Sequence, residues 1–372
     1  MKKTLLVASL AAILSVPALV HAQSSVTLYG LIDEGLTFNS NQGGHRSYSA
    51  ASSIMQGSRW GVLGIEDLGG GLKATFRLES GFDTNNGTMS QGNRLFGRQA
   101  YVGLISNYGT LTLGRQYDPV VDYIQPMSLV AFMGAYGGHP LDNDNLQDTY
   151  RVNNAVKFRT ATYGGASAEA FYAFSNSAAG FSQNNAWSFG AGWTGGKLTL
   201  GAGVIKLDHP ASNTDGAVGA SGGNTTSDYA ALANTYITGA VQREWIAAAA
   251  ANYALGKALL SLVYSHVLYV MPSSNVRFDN FEFGTQYYLA PDLRLSGAYT
   301  YTMGNVDATN QQPRYHQFNL VLDYFLSKRT DVYLMGVYQR AAGDAPFARI
   351  YPVAASSGTN QYLARVAIRH KF

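Results

Sequence analysis

The sequence contains no cysteine in its 372 residues. This absence excludes disulfide scaffolds, thiolate metal sites, iron–sulfur clusters and cysteine nucleophiles. Charged side chains are also scarce, because Asp, Glu, Lys and Arg together make up only 13% of the chain, about half the usual share for a soluble protein. A disordered chain needs more charge than this, so the low charge excludes intrinsic disorder as well.

Long hydrophobic runs are missing from the body of the chain. After the first residues, the most apolar stretch is 245–251, which is too short to cross a membrane as a helix. A helical membrane protein is therefore excluded. The formal net charge of +3 is small for this length, so we expect no nucleic-acid partner.

Aromatic residues and glycine are abundant instead. The chain has 25 Tyr and 17 Phe, and it has 41 Gly where an average usage of about 7% would give roughly 26. Tyrosine and glycine at this level favour strands and tight turns over helices.

Residues 1–22 have the three-part organisation of a secretory leader. A positive start at Lys2 and Lys3 precedes a nearly unbroken apolar stretch, which ends with small residues around His21. We expect cleavage after Ala22 and a single mature domain at 23–372. An uncleaved membrane anchor fits less well, because the stretch is short and runs directly into strand-like sequence.

From residue 23 onward the hydrophobic period is two, not 3.6. One face of the final strand carries Tyr362, Ala364, Val366, Ile368 and Phe372, and the other face carries Arg365, Arg369 and Lys371. A soluble sandwich would bury the apolar face, but charged side chains inside a closed sheet require water around them. The alternation therefore favours an apolar exterior and a wet interior.

Segments with this alternation number sixteen. They are 25–38, 58–66, 72–83, 94–105, 109–116, 151–162, 166–175, 185–194, 197–207, 242–254, 258–269, 279–289, 294–303, 315–326, 331–340 and 361–372. Tight turns alternate with longer loops between them, and the sheet must close because unpaired backbone groups in hydrocarbon cost several kcal/mol each. The predicted fold class is all-β, a sixteen-stranded antiparallel transmembrane β-barrel.

Two connections stand out by their length. The segment 208–241 is rich in small polar residues and is expected to be a flexible surface excursion. The segment 117–150 differs, since it carries aromatic residues, five aspartates and a Gly-Gly-His-Pro turn at 137–140. We expect this third loop to fold into the lumen, where a barrel of sixteen strands has room for it.

The whole chain resembles the general porins of Gram-negative bacteria, especially the trimeric porins of β-proteobacteria. The motifs that carry the resemblance are SSVTLYG at 24–30, GIEDLGGGL at 64–72, FGRQAYVGL at 96–104, GTLTLGRQ at 109–116, YFLSKRT at 324–330 and the terminal Phe372. The resemblance implies a homotrimer in the lipids of the outer membrane that passes ions and small hydrophilic solutes by diffusion. It implies no enzyme activity, and we expect no cofactor and no metal.

The resemblance also implies roles for particular residues. Arg98 and Arg151 match basic wall positions of a pore constriction, and Arg59 matches a third. Asp118 and Asp122 match the acidic side on the loop. Phe372 resembles the terminal aromatic residue that the outer-membrane assembly machinery reads.

Further charges are expected in the lumen, and all of them except Arg115 follow from strand alternation. These secondary lumen charges are Asp33, Lys73, Arg77, Arg115, Lys157 and Arg159. Basic groups predominate, so we expect a weak preference for anions. Three more loop acids, Asp142, Asp144 and Asp148, could face either the constriction or external water, and solvated loop acids are the commoner case.

Several alternatives stay open at this point. A channel selective for a sugar or a defined anion is one, and a barrel that works as an adhesin or a hydrolase is another. The string at 190–195 satisfies the dinucleotide fingerprint G-x-G-x-x-G, but a strand follows it where a helix is required, so chance explains it better. Glu34 lies on the apolar side of the first strand, which fits either a trimer contact or a position above the hydrocarbon band.

Overall fold

The structure is a computed structural model that describes residues 24–178, 180–219, 235–237 and 239–372. The predicted leader and its cleavage site lie outside the described residues. Strands dominate this part of the chain, and the few helices are short. None of the helices described is long and apolar enough to span a membrane.

The strands form one antiparallel sheet. Their bounds are β1 Ser25–Gln42, β2 His45–Ser52, β3 Arg59–Gly69, β4 Leu72–Gly81, β5 Gln99–Ser106, β6 Gly109–Gln116, β7 Val152–Thr160, β8 Ala166–Ala173, β9 Asn185–Gly195, β10 Leu198–Asp208, β11 Arg243–Leu255, β12 Ala258–Val270, β13 Asn275–Ala290, β14 Leu293–Val306, β15 Pro313–Phe325, β16 Thr330–Gly343 and β17 Asn360–Lys371. From β3 to β17 each strand pairs with the next, and β17 pairs back onto β1 from Leu31 to Asn39, which closes the barrel.

The segments β2 and β3 together occupy the place of one strand in the barrel, because both pair with β1. The first part of β1 pairs with β3, and its second part pairs with β2 on the same side. The described sheet of 17 segments is therefore a barrel of sixteen strands, as predicted. The alternation pattern does not predict β2, because it places the end of the first strand at residue 38, whereas β1 continues to Gln42 and forms a hairpin with β2.

A short inward excursion at 53–58 separates β2 from β3. The Asp33 carboxylate holds it by accepting hydrogen bonds from the backbone N–H groups of Met55 at 2.9 Å and Gln56 at 3.0 Å. Asp33 is itself fully buried and pairs with Arg365 at 2.9 Å. A charged side chain of β1 therefore replaces the sheet hydrogen bonds that this excursion lacks.

Burial along the strands is inverted relative to a soluble protein. On β17, Val366 and Ile368 are 51% and 48% exposed, whereas Arg365 and Arg369 are 3% and 5% exposed. The same inversion runs round the barrel, with exposed Phe, Leu or Tyr on one face of most strands. This confirms the predicted apolar exterior, because a water-soluble fold would bury those side chains.

The two ends of the barrel differ in the length of their connections. Turns of two residues join β5 to β6, β9 to β10 and β11 to β12, whereas the connections after β4, β6 and β10 are much longer. Such an alternation is typical of outer-membrane barrels, in which the short turns face the periplasm. We call the two rims the short-turn end and the long-loop end.

Helical structure is concentrated in the third loop, residues 117–151. It contains α2 (Pro119–Ile124) and α3 (Val130–Met133), while the single turn α1 (Ser90–Asn93) lies in the loop between β4 and β5. Asp118 precedes α2 and accepts from the N–H groups of Val120 and Val121, so it is the N-cap of a helix that begins with proline. This is the standard arrangement for the start of a helix.

Candidate functional site

Four arginines from neighbouring strands border one cavity of about 620 Å³. They are Arg59 at the start of β3, Arg77 on β4, Arg98 just before β5 and Arg151 just before β7. In an antiparallel sheet the start of one strand lies beside the end of its neighbour. Residues that are far apart in sequence therefore lie together at the same height of the barrel wall. The structure thus brings together all three arginines that were predicted for the wall and adds Arg77.

Glu79 organises the arginines on the wall. Its Oε1 accepts from Arg98 Nε at 2.8 Å, and its Oε2 lies 3.7 Å from Arg59 Nε. The Tyr29 hydroxyl donates to the same Oε2 at 2.8 Å, and its ring lies against the Arg77 guanidinium, 5.6 Å from centroid to Cζ. One buried carboxylate and one aromatic ring therefore hold three cationic groups in fixed positions.

The acid on the loop side of the cavity is Asp148. Its Oδ2 accepts from Arg151 Nη2 at 2.7 Å, and the Arg151 guanidinium lies over the Tyr117 ring at 5.6 Å. Tyr117 in turn accepts a hydrogen bond from Arg98 Nη2 at 2.8 Å. Burial raises the pKa of Asp148 to about 7, although Arg151 and Arg98 pull it down.

The structure does not bring the two acids predicted for the constriction into this cavity. Asp118 is buried as the N-cap of α2, and Asp122 forms an ion pair with Lys157. Neither borders the cavity of the four arginines. The other three loop acids are all buried. Asp148 lines the cavity, Asp142 accepts from the Gln147 N–H within the loop, and Asp144 binds His139 of the loop and Ser265 of β12.

Three of the secondary charges lie outside the lining of the cavity. Arg115 donates through Nε to the carbonyl of Gly97 at 2.8 Å and through Nη1 to the carbonyl of Arg151 at 3.1 Å, so it braces the strand ends. Arg159 lies 3.5 Å from Glu169, and Lys73 is exposed on β4 near the short-turn end. These side chains shape the potential around the cavity without lining it.

A second buried cluster joins the third loop to β12 and β13. His139 Nδ1 lies 2.6 Å from Asp144 Oδ2, and its Nε2 lies 3.2 Å from Glu282 Oε2. Ser265 also donates to Asp144, and Glu282 accepts from the Leu129 N–H at 2.8 Å. The Gly-Gly-His-Pro turn was visible in the sequence, but its partners on distant strands were not.

Burial alone lowers the pKa of His139, but the ion pairs with Asp144 and Glu282 outweigh burial and raise its pKa to about 10. His139 is therefore a cation between two carboxylates at neutral pH. Within the described residues, no three His, Cys, Asp or Glu side chains are grouped so that they could hold a metal ion.

A closed barrel with an apolar outer face and a charged inner cavity is the architecture of an outer-membrane channel protein. Residues 8–344 match the family model for Gram-negative porins. The chain belongs to the Gram-negative porin family, and it is a protein of the outer membrane. Members of this family are channels rather than enzymes.

Curated relatives agree with this membership. The chain is 38% identical over 191 residues to an outer membrane porin protein of Bordetella pertussis, covering 47% of this chain and 49% of the relative. It is 35% identical over 184 residues to outer membrane porin protein 32 of Delftia acidovorans, covering 47% and 50%. These matches thus span about half the length of each relative. A match to major outer membrane protein P.IB of Neisseria meningitidis is 28% identical and covers all of both chains.

Solved structures share the fold. The anion-selective porin from Comamonas acidovorans superposes with a TM-score of 0.76 at 23% identity, covering 94% of this chain and 100% of that one. The OmpT trimer form of Vibrio cholerae superposes with a TM-score of 0.68 at 18% identity, covering 94% and 99%.

Proposed function

We propose that this protein is a water-filled channel for the passive diffusion of ions and small hydrophilic solutes, with a weak preference for anions. The observation that carries the proposal is the cavity of about 620 Å³ bordered by four arginines. Fixed charges of one sign in a narrow aqueous path select ions by charge, because little water remains to screen them.

The third loop supplies the opposite side of the constriction in this proposal. Its contacts support a position inside the barrel, since Ser261, Ser265 and Glu282 bond to it and all three alternate with exposed apolar neighbours on their strands. On the other flank, Gln317 donates to the carbonyl of Tyr136 at 3.0 Å. A loop held on these side chains reduces the width of the channel.

The sign of selectivity follows from the charges on the cavity wall. Four arginines face two carboxylates, Glu79 and Asp148, which leaves a net formal charge of about two positive in this region. Arginine stays protonated at any relevant pH, so the wall keeps its charge. The anion-selective porin of Comamonas acidovorans shares the fold, and we propose the same sign here.

Reversal potentials test this function. The purified protein in planar bilayers under a KCl gradient should give a potential of anionic sign, and Arg59→Gln together with Arg151→Gln should move it toward zero. Arg46→Gln is the matched control, because Arg46 is exposed on β2, away from the cavity. A cationic sign in the wild type, or an equal shift in the control, would contradict the proposal.

Selection of one defined anion is a second candidate. Arg77 and Arg151 border the cavity, and the Nε atom of each is buried without a hydrogen-bond partner among the described residues. Buried donors without partners are unfavourable unless a ligand or water satisfies them. Saturable block of conductance by one anion would favour this candidate, and ohmic conductance with every small anion would favour general diffusion.

The remaining roles are also proposals. We assign the domain 23–372 to a homotrimer that the barrel assembly machinery inserts through its terminal aromatic residue. In support, Phe372 exchanges backbone hydrogen bonds with Gly30 at 3.0 and 3.1 Å, so the last residue belongs to the seam that closes the barrel. Chemical crosslinking of the purified protein, compared with a Phe372→Ala variant, tests oligomer and assembly together.

A further inference from the structure

A basic cluster lies on the outer face of the barrel near the long-loop end. Arg314 and His316 are on β15, two residues apart and so on the same face. Arg340 on β16 is directly opposite His316 in the register. Diagonal neighbours on adjacent strands are about 7–8 Å apart, so the two guanidinium groups can reach a single small anion together.

The cluster stands directly beyond a row of outward aromatic residues. Phe318 and Tyr338 lie two residues nearer the middle of the barrel, with ring centroids 6.5 Å apart. Below them, Leu320 and Leu334 are each 56% exposed. Aromatic girdles mark the boundary between hydrocarbon and headgroups in outer-membrane barrels. The basic side chains therefore lie at the level of the lipid headgroups.

Neighbouring charges on this face are already paired, but the two arginines are not. Arg277 pairs with Asp307 at 2.6 Å, and His266 pairs with Asp279 at 2.9 Å. Neither Arg314 nor Arg340 forms an ion pair within the described part of the chain, and both are exposed. Two uncompensated guanidinium groups side by side repel each other and are complementary to a doubly charged anion.

We infer that Arg314, His316 and Arg340 form a binding site for the phosphate group of an outer-leaflet lipid. Arginine binds phosphate through paired hydrogen bonds, and the long side chains reach along the strands toward the headgroup layer. The acyl chains then lie on the apolar surface around Leu320 and Leu334. The site faces away from the arginine cavity and is independent of solute passage.

His316 contributes orientation to the site. Its Nδ1 lies 2.7 Å from the Tyr299 hydroxyl, and its ring packs against Tyr301 with centroids 4.9 Å apart. The ring is thus fixed on one side, next to Arg340 on the facing strand, and with Nδ1 accepting from the Tyr299 hydroxyl, Nε2 carries the ring proton and can donate. A fixed third donor favours a phosphate over a flexible carboxylate chain.

Native mass spectrometry of the purified oligomer with bisphosphorylated lipid A tests the site. Arg314→Gln combined with Arg340→Gln should weaken lipid binding at least tenfold, and Arg314→Lys with Arg340→Lys should restore part of it. Higher salt should weaken binding to the wild type but not to the Gln variant. Lys328→Gln with Arg329→Gln is the matched control, since it removes two exposed charges at the short-turn end.

Four results would overturn the inference. Equal binding of dephosphorylated lipid A would show that the site does not recognise the phosphate. An equal loss of binding in the control variant would show that binding does not depend on this cluster. Displacement of the lipid by an equal concentration of inorganic phosphate would identify a free-phosphate site. Dissociation of the Gln variant into monomers with unchanged lipid binding would make this face a subunit contact. The conductance of the Gln variant should equal that of the wild type. The lipid site can therefore fail without affecting the proposed channel function, and the channel function can fail without affecting the lipid site.

Discussion

The link between His139 and the barrel wall makes a quantitative prediction about the third loop. In His139→Asn, the amide can still donate to Asp144, but it cannot reach Glu282 and carries no charge. Glu282 is then left buried without its cation. Removing one partner of a buried ion pair costs about 3–5 kcal/mol, and about 3 kcal/mol corresponds to a roughly 150-fold larger population of detached loop.

The loss should appear in the loop and not in the barrel. The sheet hydrogen bonds are untouched by this change, so the β-sheet circular dichroism signal and the mobility of the folded protein on gels should match the wild type. Hydrogen exchange in peptides covering the third loop should accelerate by about two orders of magnitude. In the proposed function the third loop narrows the path of the ions, so single-channel currents should show larger open-channel noise when the loop detaches.

The dependence on pH follows from the raised pKa of His139. Its stabilisation is complete below the ordinary pKa of 6.5 and declines as the pH rises toward about 10. His139 also holds the pKa of Asp144 below its ordinary value of 3.8, against the opposing effect of burial. That contribution is lost in strong acid. The loop should therefore be held most firmly between these limits, at weakly acid to neutral pH.

Two comparisons decide whether the link acts as described. His45→Asn is the matched control, because His45 is exposed at the start of β2. Adding Glu282→Gln to His139→Asn should cost less than the sum of the single changes, since each removes the same contact. If His139→Asn showed the same hydrogen-exchange rates in the third loop and the same open-channel noise as the wild type and the control, the link would not hold the loop as described.

Three further changes test other parts of the structure. Gly192→Val should lower the free energy of unfolding by about 1–3 kcal/mol in urea titrations, because a Cβ there would meet the loop helix at 2.6 Å. Asp33→Asn should cost about 3–5 kcal/mol in the same titrations, since it leaves a buried arginine unpaired, whereas Asp307→Asn in an exposed pair should cost at most about 1 kcal/mol. In the wild type, the anion preference should rise as the pH falls through the Asp148 pKa of about 7, and Asp148→Asn should show the higher preference without this pH dependence in the same bilayer assay.

The barrel could be predicted from the sequence because each strand carries its own alternating signal. The strand β17 shows this well, with four outward apolar residues and three basic residues on its opposite face. The strand β2 was missed because Tyr48 is the single large apolar side chain on its outward face, beside Arg46, Ala50 and Ser52. The excursion at 53–58 depends on Asp33, and nothing local in those residues indicates a carboxylate that lies some twenty positions earlier.

The wall of the site was more predictable than the loop. Side-chain alternation places a wall arginine on a known face, so Arg59 and Arg77 follow from strand geometry alone. The direction of a loop acid depends on how the loop folds. One local signal was available, since aspartate followed by proline is typical of a helix N-cap and its first turn. That signal assigns Asp118 to helix capping. The acid that lines the cavity is Asp148, which no local signal in the sequence identifies.

The glycines at 190–195 are visible in the sequence, but the sequence does not show why glycine is needed there. The dinucleotide fingerprint was rejected because no helix follows it, and the structure supplies a different reason for its first two glycines. A Cβ at Gly190 would lie 2.8 Å from Pro119, and one at Gly203 on the next strand would lie 3.2 Å from Val120. Glycine at period two on neighbouring strands therefore indicates that another backbone approaches this face.

The distribution of small and basic residues around the barrel decides where the channel runs. Glycine and alanine on β9–β11 leave a depression that α2 fills with apolar side chains. Arginine on β3–β7 cannot be covered in this way, because an unpaired buried charge is far more costly than a hydrated one. The third loop therefore packs against the β9–β11 side of the barrel, and in the proposed channel the arginine side stays hydrated. Exchanging glycines for large side chains on β9 should push the loop toward the arginines and narrow the channel without changing its charge.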